Sequence, residues 1–219
     1  MKRPGIAIFA RAPVPGAAKT RLIPALGADR AADIAAVLLR LTVARVTEFW
    51  PGEVYLYASP NTEHPLFHEL VAGYHVHLRA QNDGDLGARM RAALDDLIAG
   101  HGAGAIIGSD VPHCPGHTIE HAYDLLAKGR NVIGPAGDGG YYLIGLQAAT
   151  PALFEGIRWG AETVLDETHN RVRAAGIEME SLPGLRDVDS YADLLAAARE
   201  LPVLARLVPA MVEFPDRKS

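Results

Sequence analysis

The chain has 219 residues, of which 49% are hydrophobic, with a formal net charge of −5 and one cysteine, Cys114. This length suits one α/β domain, and the composition excludes a disordered chain, a protein that binds nucleic acid through overall positive charge, and an internal disulfide framework. No apolar stretch is long enough for a signal peptide or for the roughly 18 residues of a membrane span, so we expect a soluble cytoplasmic protein with no membrane partner.

Short apolar runs alternate with longer stretches of helical period, which predicts a mainly parallel sheet with helices on both faces, an α/β three-layer sandwich. The predicted strands are IAIF (6–9), VYLYA (54–58), VHLRA (76–80), GAIIG (104–108), NVIGPA (131–136), YYLIGL (141–146) and IEMESL (177–182). The predicted helices cover about 28–49, 64–72, 86–99, 117–128, 161–175 and 190–200.

The first of these helices has the clearest pattern. Asp29 is placed to cap it. Five positions recur at helical spacing and should lie on the sheet: Ile34, Val37, Leu38, Leu41 and Arg45.

Nothing in the composition divides the chain, since it has neither repeats nor a linker. We therefore predict one domain over 1–205, followed by a tail over 206–219. The tail is apolar and then charged, so it either completes the packing or contacts a second subunit in a homodimer.

Five loops follow the predicted strands, and ligands of open α/β sheets bind where such loops leave the strands' carboxyl ends. Their sequences are ARAPVPGAAKTRL, QNDGDLGARM, GSDVPHC, GPAGDGGYY and LRDVDS. These loops are therefore the candidate site.

The first loop carries Lys19 and Arg21 beside Gly16, a combination that suits phosphate binding. It is not a Walker loop, because that motif would require glycines where the chain has Pro13 and Ala18. An exposed basic loop stiffened by prolines is the alternative.

Carboxylates follow two of the predicted strands. Asp110 stands at the tip of the strand in AIIGSDVP, and Asp187 and Asp189 follow the last strand. If 187–189 is extended, its two carboxylates face the same way, and with Asp110 they could hold one Mg²⁺. The alternatives are turn formation by Asp110 and capping, by one of the pair, of the helix that begins near Ser190.

The loop GPAGDGG places Gly137, Gly139 and Gly140 around Asp138. We interpret these glycines as room for a substrate, with Asp138 accepting hydrogen bonds from hydroxyl or amine groups. A tight hairpin between the flanking strands is the compatible alternative.

The loop QNDGDLGARM leads into a helix whose N-terminus could meet a base, a ribose or an anion.

Taken together, five motifs resemble a bacterial family of the DUF2064 type, described as glycosyltransferase-like or similar to 2-phospholactate guanylyltransferase. They are FARAPVPGAAKTRLIPALG, QNDGDLGARM, IIGSDVP, GPAGDGGYYLIGL and RDVDS, and they span about residues 5–200. The family belongs to the nucleotide-diphospho-sugar transferases, so the resemblance implies the Rossmann-like GT-A fold. KTRL and GSDVP are also similar to the GTRL and GDVP motifs of sugar-phosphate nucleotidyltransferases.

Roles for particular residues follow from this resemblance. It implies that Lys19 and Arg21 bind phosphates and, with Asp110, are catalytic, and that Asp110 with Asp187 or Asp189 holds Mg²⁺ or Mn²⁺. The implied substrate-binding residues are Arg11, Gly16, Gln81, Gly84, Asp85, Gly87, Asp138, Gly139 and Gly140. The chain departs from the family pattern at Arg11, where a lysine is expected, and at WGAETV near Trp159, where WST is expected.

Three functions remain open from the sequence. Nucleotidyl transfer from a nucleoside triphosphate to a phosphorylated small molecule, with release of pyrophosphate, needs no general base because a phosphate nucleophile is already ionised. A glycosyltransferase would bind a nucleotide-diphosphate sugar and a small-molecule acceptor in the same place, but the D-x-D motif is missing at Asp110 and appears only as DVD at 187–189. A non-catalytic nucleotide-binding module would be free to lose its carboxylates.

A zinc site is a further alternative. Cys114, His117 and His121 are three and four residues apart and would share a face of a helix, with His113 as a fourth ligand.

Overall fold

A seven-stranded mixed sheet forms the middle layer of the molecule, and the computed structural model describes residues 3–208. The strands are β1 (Gly5–Arg11), β2 (Val54–Ser59), β3 (Val76–Ala80), β4 (Gly104–Gly108), β5 (Asn131–Pro135), β6 (Tyr141–Leu146) and β7 (Met179–Ser181). Their order is β3-β2-β1-β4-β6-β5-β7. Only β6 runs against its neighbours β4 and β5, and the other pairs are parallel. All seven predicted strands and the mainly parallel sheet are confirmed.

Helices cover both faces of this sheet. They are α1 (Ile23–Leu26), α2 (Ala28–Phe49), α3 (Pro65–Gly73), α4 (Leu86–His101), α5 (Gly116–Ala127), α6 (Val164–Ala174), α7 (Tyr191–Glu200) and α8 (Pro202–Ala205). The six predicted helices correspond to α2 to α7. The helices α1 and α8 and the two short 3₁₀ turns were not predicted, because elements of three or four residues show no periodicity. Across 3–208, no helix is both long and apolar enough to cross a membrane.

Capping of α2 differs from the prediction. The residue before the helix is Gly27, with φ of 83°, and no side chain caps the helix. Asp29 lies instead in the first turn, where its negative charge still favours the helix dipole.

The apolar stripe predicted on α2 does not lie against the sheet. Ile34 and Leu38 pack outward against the C-terminal helices, while Leu39, Val43 and Val46 face the sheet. The outward packing forms what we call the outer cluster, whose buried members are Leu22, Ala31, Ile34, Leu38, Val188, Leu194, Ala197 and Leu204. The prediction was wrong because α2 is covered on both sides, so two of its faces are apolar.

Only the beginning of the predicted tail 206–219 lies in the described part of the chain, which ends at residue 208. The tail's role, the domain boundary at 205 and the homodimer stay predictions.

Candidate functional site

A cleft of about 450 Å³ opens at the carboxyl ends of β1, β2 and β4. Arg11 and Ser59, the last residues of β1 and β2, lie in its wall with Gly108, the last residue of β4. Its charged lining residues are Arg11, Lys19, Arg21, Arg89, Asp110 and Asp189. The cleft therefore brings together residues from four of the five loops that the sequence analysis singled out.

Lys19 lies at the centre of these charges. Its side chain is 8% exposed, and its Nζ is 2.9 Å from Asp110 Oδ1 and 2.7 Å from Asp189 Oδ1. Burial by itself lowers the pKa of Lys19, but the two carboxylates and their hydrogen bonds outweigh it and raise the pKa above its usual value. The ammonium is therefore charged at neutral pH.

The backbone around Lys19 is unusual. Lys19 has φ of 46° and ψ of 46°, a left-handed conformation uncommon for a residue with a side chain. Gly16 opens the preceding turn with φ of 81°, and Arg11 donates to the carbonyl of Ala17 across it. Arg21 pairs with Asp189, its Nη1 lying 3.6 Å from Oδ2, but its side chain is 70% exposed, so most of its guanidinium is accessible to a ligand.

Backbone contacts fix the two loops that carry the acids. The Thr42 hydroxyl on α2 donates to the Ser109 carbonyl at 3.1 Å, and the Val188 N–H donates to the Asp110 carbonyl at 3.0 Å. The Val188 side chain is buried in the outer cluster, so the residues on either side of it, Asp187 and Asp189, project away from that cluster.

Neither of these aspartates caps α7. Ser190 is its cap: the Ser190 hydroxyl accepts from the Asp193 N–H, and Asp193 accepts from Ser190 in return. The capping alternative for Asp187 and Asp189 is therefore wrong, and both carboxylates are available to the site.

Asp187 is the most perturbed acid at the site. Burial, together with the charges of Asp138, Asp110 and Asp189, raises its pKa to about 7. Its Oδ1 is buried and has no hydrogen-bond partner in the described chain. Asp110 and Asp189 thus pair with the buried ammonium, while Asp187 beside them keeps one buried oxygen without a partner, which a further cation would satisfy.

The acids fit a magnesium ion that is shared with a substrate. No three His, Cys, Asp or Glu side chains within 3–208 are grouped closely enough to hold a metal by themselves. Magnesium, however, is usually held by one or two carboxylates together with substrate phosphates and water. Asp110, Asp187 and Asp189 suit that arrangement, and such an ion would satisfy the orphaned oxygen of Asp187.

The predicted zinc ligands do not come together. Cys114 is buried and precedes α5, which begins at Gly116, whereas His117 and His121 are exposed on that helix. Cys114 therefore does not share their face, and the zinc alternative is wrong.

The loop from Gln81 to Gly87 contributes less to the cleft than predicted. Gln81 lines the cleft, with its amide donating to the carbonyl of Tyr57 at 2.9 Å. Asp85 caps α4 by accepting from the Ala88 N–H, and Gly87 is buried because Phe154 and Trp159 pack directly over it.

One cleft residue, Arg89, was not assigned by the sequence analysis. It lies in the first turn of α4, and its Nε donates to the carbonyl of Gly84, whose φ is 110°. The sequence offered one signal for this residue: Arg89 lies in the first turn of a predicted helix that follows the carboxyl end of a strand.

The glycine-rich loop forms the predicted hairpin between β5 and β6. A Cβ at Gly139 would lie 2.1 Å from the carbonyl oxygen of Glu162, and Gly139 has φ of 85°. Protein backbone therefore occupies the room that we assigned to a substrate at Gly139. At Gly140 the N–H donates to Asp138 Oδ1 at 2.9 Å, which orients that carboxylate.

A second cavity, of about 210 Å³, lies beside the cleft and shares Leu86 with it. Trp159 and Tyr141 supply aromatic walls in edge-to-face contact, and Asp138 and Asp187 supply the charge. The remaining lining residues are Met90, Gly140, Gly160, Ala161 and Val164, so no cation lines it. In the sequence, Trp159 stands out only because WGAETV departs from the expected WST motif.

Comparison with known proteins gives a family and a fold. Residues 42–161 match the family model described as "Uncharacterized protein conserved in bacteria (DUF2064)". No curated protein matches the chain in sequence. A solved structure of a "putative nucleotide-diphospho-sugar transferase" from Desulfovibrio desulfuricans G20 is 30% identical, with a TM-score of 0.80 over 94% of this chain and 98% of that chain.

Two further solved structures resemble the chain in fold alone. The 4-diphosphocytidyl-2C-methyl-D-erythritol synthase from Anaerococcus prevotii DSM 20548 is 13% identical, with a TM-score of 0.59 over 91% of this chain and 99% of that one. Rv0371c from Mycobacterium tuberculosis H37Rv, in complex with manganese, is 14% identical, with a TM-score of 0.52 over 92% and 100%. These likenesses confirm the predicted fold of the nucleotide-diphospho-sugar transferases.

Proposed function

This chain belongs to the DUF2064 family, and we propose that it is a divalent-metal-dependent transferase that moves a nucleotidyl group from a nucleoside triphosphate to a phosphorylated small molecule. The observation that carries the proposal is the cluster of acids around Lys19 in a cleft whose rim is cationic. The 30% identity to the structure described as a "putative nucleotide-diphospho-sugar transferase" supports a transferase acting on a nucleotide.

The cationic rim would hold the phosphate chain of the nucleotide. Arg11, Arg21 and Arg89 all line the cleft, and a guanidinium matches phosphate oxygens with two parallel hydrogen bonds. Gln81 and the strand ends would bound the rest of the nucleotide.

Magnesium or manganese would be held by Asp110 and by Asp187 or Asp189. When bound, the ion would neutralise charge on the phosphates. Contacts of Val188 and Thr42 fix the loops that carry these acids, and Lys19 already draws Asp110 and Asp189 together before the ion binds. The residues thus supply positioning and electrostatic complementarity, which account for most of the acceleration in phosphoryl-group chemistry.

The proposed reaction is an in-line displacement. A phosphate oxygen of the acceptor forms a bond to the α-phosphorus, and the bond from that phosphorus to the oxygen bridging the α- and β-phosphates breaks. The electron pair leaves with pyrophosphate, whose charge the arginines stabilise. The attacking oxygen is already ionised, so no residue has to remove a proton.

Glycosyl transfer from a nucleotide-diphosphate sugar is the second candidate, and the second cavity favours it. A flat aromatic wall at Trp159 and hydrogen-bond acceptors at Asp138 and Asp187 suit the apolar face and hydroxyl groups of a sugar ring. In this alternative the nucleotide would take the same cleft and the sugar would take the second cavity.

A thermal-shift panel tests the proposal. ATP, GTP, CTP, UTP and common UDP- and GDP-sugars are each added with and without Mg²⁺ or Mn²⁺, with the matching nucleosides as controls. A ligand at 100 times its Kd stabilises the native state by about 2.7 kcal/mol, which raises Tm by several degrees.

We expect a metal-dependent shift with one triphosphate and none with its nucleoside, followed by pyrophosphate release once an acceptor is supplied. A shift with a nucleotide sugar but with no triphosphate would favour glycosyl transfer. No shift with any nucleotide would contradict both.

A further inference from the structure

The ammonium of Lys19 lies where a divalent cation would have to bind between Asp110 and Asp189. Its Nζ takes Oδ1 of Asp110 and Oδ1 of Asp189 at 2.9 and 2.7 Å, and these are two of the three acids that fit a divalent cation. An ammonium and a divalent cation repel each other, so the two compete for the position between these two carboxylates.

Removing Lys19 from this position without a new partner is unfavourable. The side chain is only 8% exposed, and a buried charge that loses its partner strongly destabilises a protein. A metal that binds alone must break both ion pairs and leave the ammonium beside itself. Binding of the metal alone should therefore be weak.

The phosphate chain of a nucleotide offers Lys19 the partner that it would lack. Lys19, Arg11 and Arg21 line the same cleft, so an ammonium that leaves the aspartates remains within the phosphate-binding region. The left-handed backbone at Lys19 is a strained conformation for a residue with a side chain, so a rearrangement of this turn would relieve strain.

We propose that, in the ligand-free protein, Lys19 lies between Asp110 and Asp189 at the position where the divalent cation would bind. Binding of the cation displaces the ammonium, and this exchange couples metal binding to nucleotide binding. The inference rests on the proposed function for its nucleotide half. By linkage, the nucleotide then strengthens metal binding by the same factor by which the metal strengthens nucleotide binding. Lys19 is in this respect a positioning residue, because it weakens metal binding by the two acids until a phosphate group binds in the cleft.

Mn²⁺ binding without any nucleotide tests the exchange. Lys19→Met keeps the unbranched stem and removes the charge, so its dissociation constant for Mn²⁺, measured by electron paramagnetic resonance of free Mn²⁺, should fall at least about tenfold. The matched control is Arg89→Met, which removes a cation from the same cleft that contacts neither Asp110 nor Asp189; its dissociation constant should change less than about threefold.

The wild-type protein provides a second measurement that does not depend on a variant folding. In the ligand-free protein the Lys19 amine should be protected from acetylation, and exposed Lys128 serves as the internal reference in the same mass spectrum. Saturating Mn²⁺ should raise the rate at Lys19 severalfold and leave Lys128 unchanged. An unchanged Lys19 rate with Mn²⁺ bound overturns the exchange.

The coupling is tested with inorganic tripolyphosphate as the probe. In the wild type, Mn²⁺ and tripolyphosphate together should raise Tm by more than the sum of their separate shifts. In Lys19→Met this excess should be smaller, because only the direct contact between metal and phosphate remains to couple them. Equal Mn²⁺ affinity in wild type and Lys19→Met, or no Mn²⁺ binding by either, overturns the inference.

Failure of every nucleotide in the earlier panel would instead remove the proposed function. The Mn²⁺ and acetylation results would still decide whether Lys19 lies at the position where the metal binds.

Discussion

The carboxylate of Asp110 contacts the ammonium of Lys19 and, in the proposed reaction, would also hold the metal. Its side chain is 41% exposed, so replacing it should not disturb the core. We predict that Asp110→Asn keeps the fold but lowers Mg²⁺-dependent turnover about 100-fold or more, as the loss of one preorganised electrostatic group does in other enzymes.

The measurement is pyrophosphate release at saturating triphosphate, together with far-UV circular dichroism. Asp95→Asn, on the exposed side of α4, is the control and should keep full turnover. Unchanged turnover in Asp110→Asn would remove Asp110 from the site.

Asp187 makes the stability of the ligand-free protein depend on pH. Burial and three neighbouring carboxylates raise its pKa from 3.8 to about 7. Since the folded-state pKa lies above the unfolded one, the stability contributed by this group is complete below about pH 4 and is lost as pH rises through about 7.

Asp187→Asn removes this dependence. We predict that the free energy of unfolding of the variant, minus that of the wild type, grows by about 1–2 kcal/mol between pH 5 and pH 8, a value reduced for solvent screening of the carboxyl. Urea unfolding at the two pH values measures it, with Asp95→Asn as the control that should show no such trend. A constant difference across this range would mean that Asp187 is an ordinary carboxylate.

At the scale of elements, the hairpin between β5 and β6 is held by the contact of its tip with the segment before α6. Gly139 has φ of 85°, the backbone of Glu162 passes over it, and the Leu165 N–H donates to its carbonyl at 2.8 Å. We predict that Gly139→Ala destabilises the protein by about 3 kcal/mol, from backbone strain and from displacement of the segment at Glu162.

Gly160→Ala separates these two causes. Gly160 has φ of 83° but nothing within 4 Å of an added Cβ, so only the strain remains and the loss should be about 1 kcal/mol. Chemical denaturation of both variants gives the comparison. If the two lost equal stability, the contact with Glu162 would not matter.

The strands and long helices could be predicted because each is encoded locally, by runs and periods within a few neighbouring residues. The short helices α1 and α8 could not, since four residues carry no period. Pairing across the chain was also beyond the sequence: Lys19 and Asp189 are 170 positions apart, and nothing local distinguishes an ammonium that faces phosphate from one that faces carboxylates. Likewise, the glycines of GPAGDGG show that space is needed but not whether substrate or the Glu162 backbone fills it.

At the scale of the whole molecule, the outer cluster connects the turn that carries Lys19 with the loop that carries Asp187 and Asp189. It contains Leu22, which follows the Lys19 turn, and Val188, which lies between Asp187 and Asp189. Packing in the outer cluster therefore helps to position the Lys19 turn relative to the loop that carries Asp187 and Asp189.

Truncation of this cluster should weaken binding as well as stability. Leu194 on α7 is fully buried, so Leu194→Ala should cost about 2–5 kcal/mol of stability and let the Val188 loop relax into the space. We predict that metal-dependent nucleotide affinity, measured by calorimetry at a temperature where the variant stays folded, falls about tenfold, a loss of about 1.4 kcal/mol.

The matched control lies in the core on the opposite face of the sheet. Leu97 on α4 is equally apolar and 2% exposed, but its cluster contains none of the residues that carry the acids or Lys19. Leu97→Ala should lose a similar amount of stability and keep its affinity. Because both variants lose the same side-chain atoms from a buried position, any difference in affinity between them reports the positioning of the two loops. An equal fall in both would mean that affinity follows global stability, and that the outer cluster has no particular role in holding the acids.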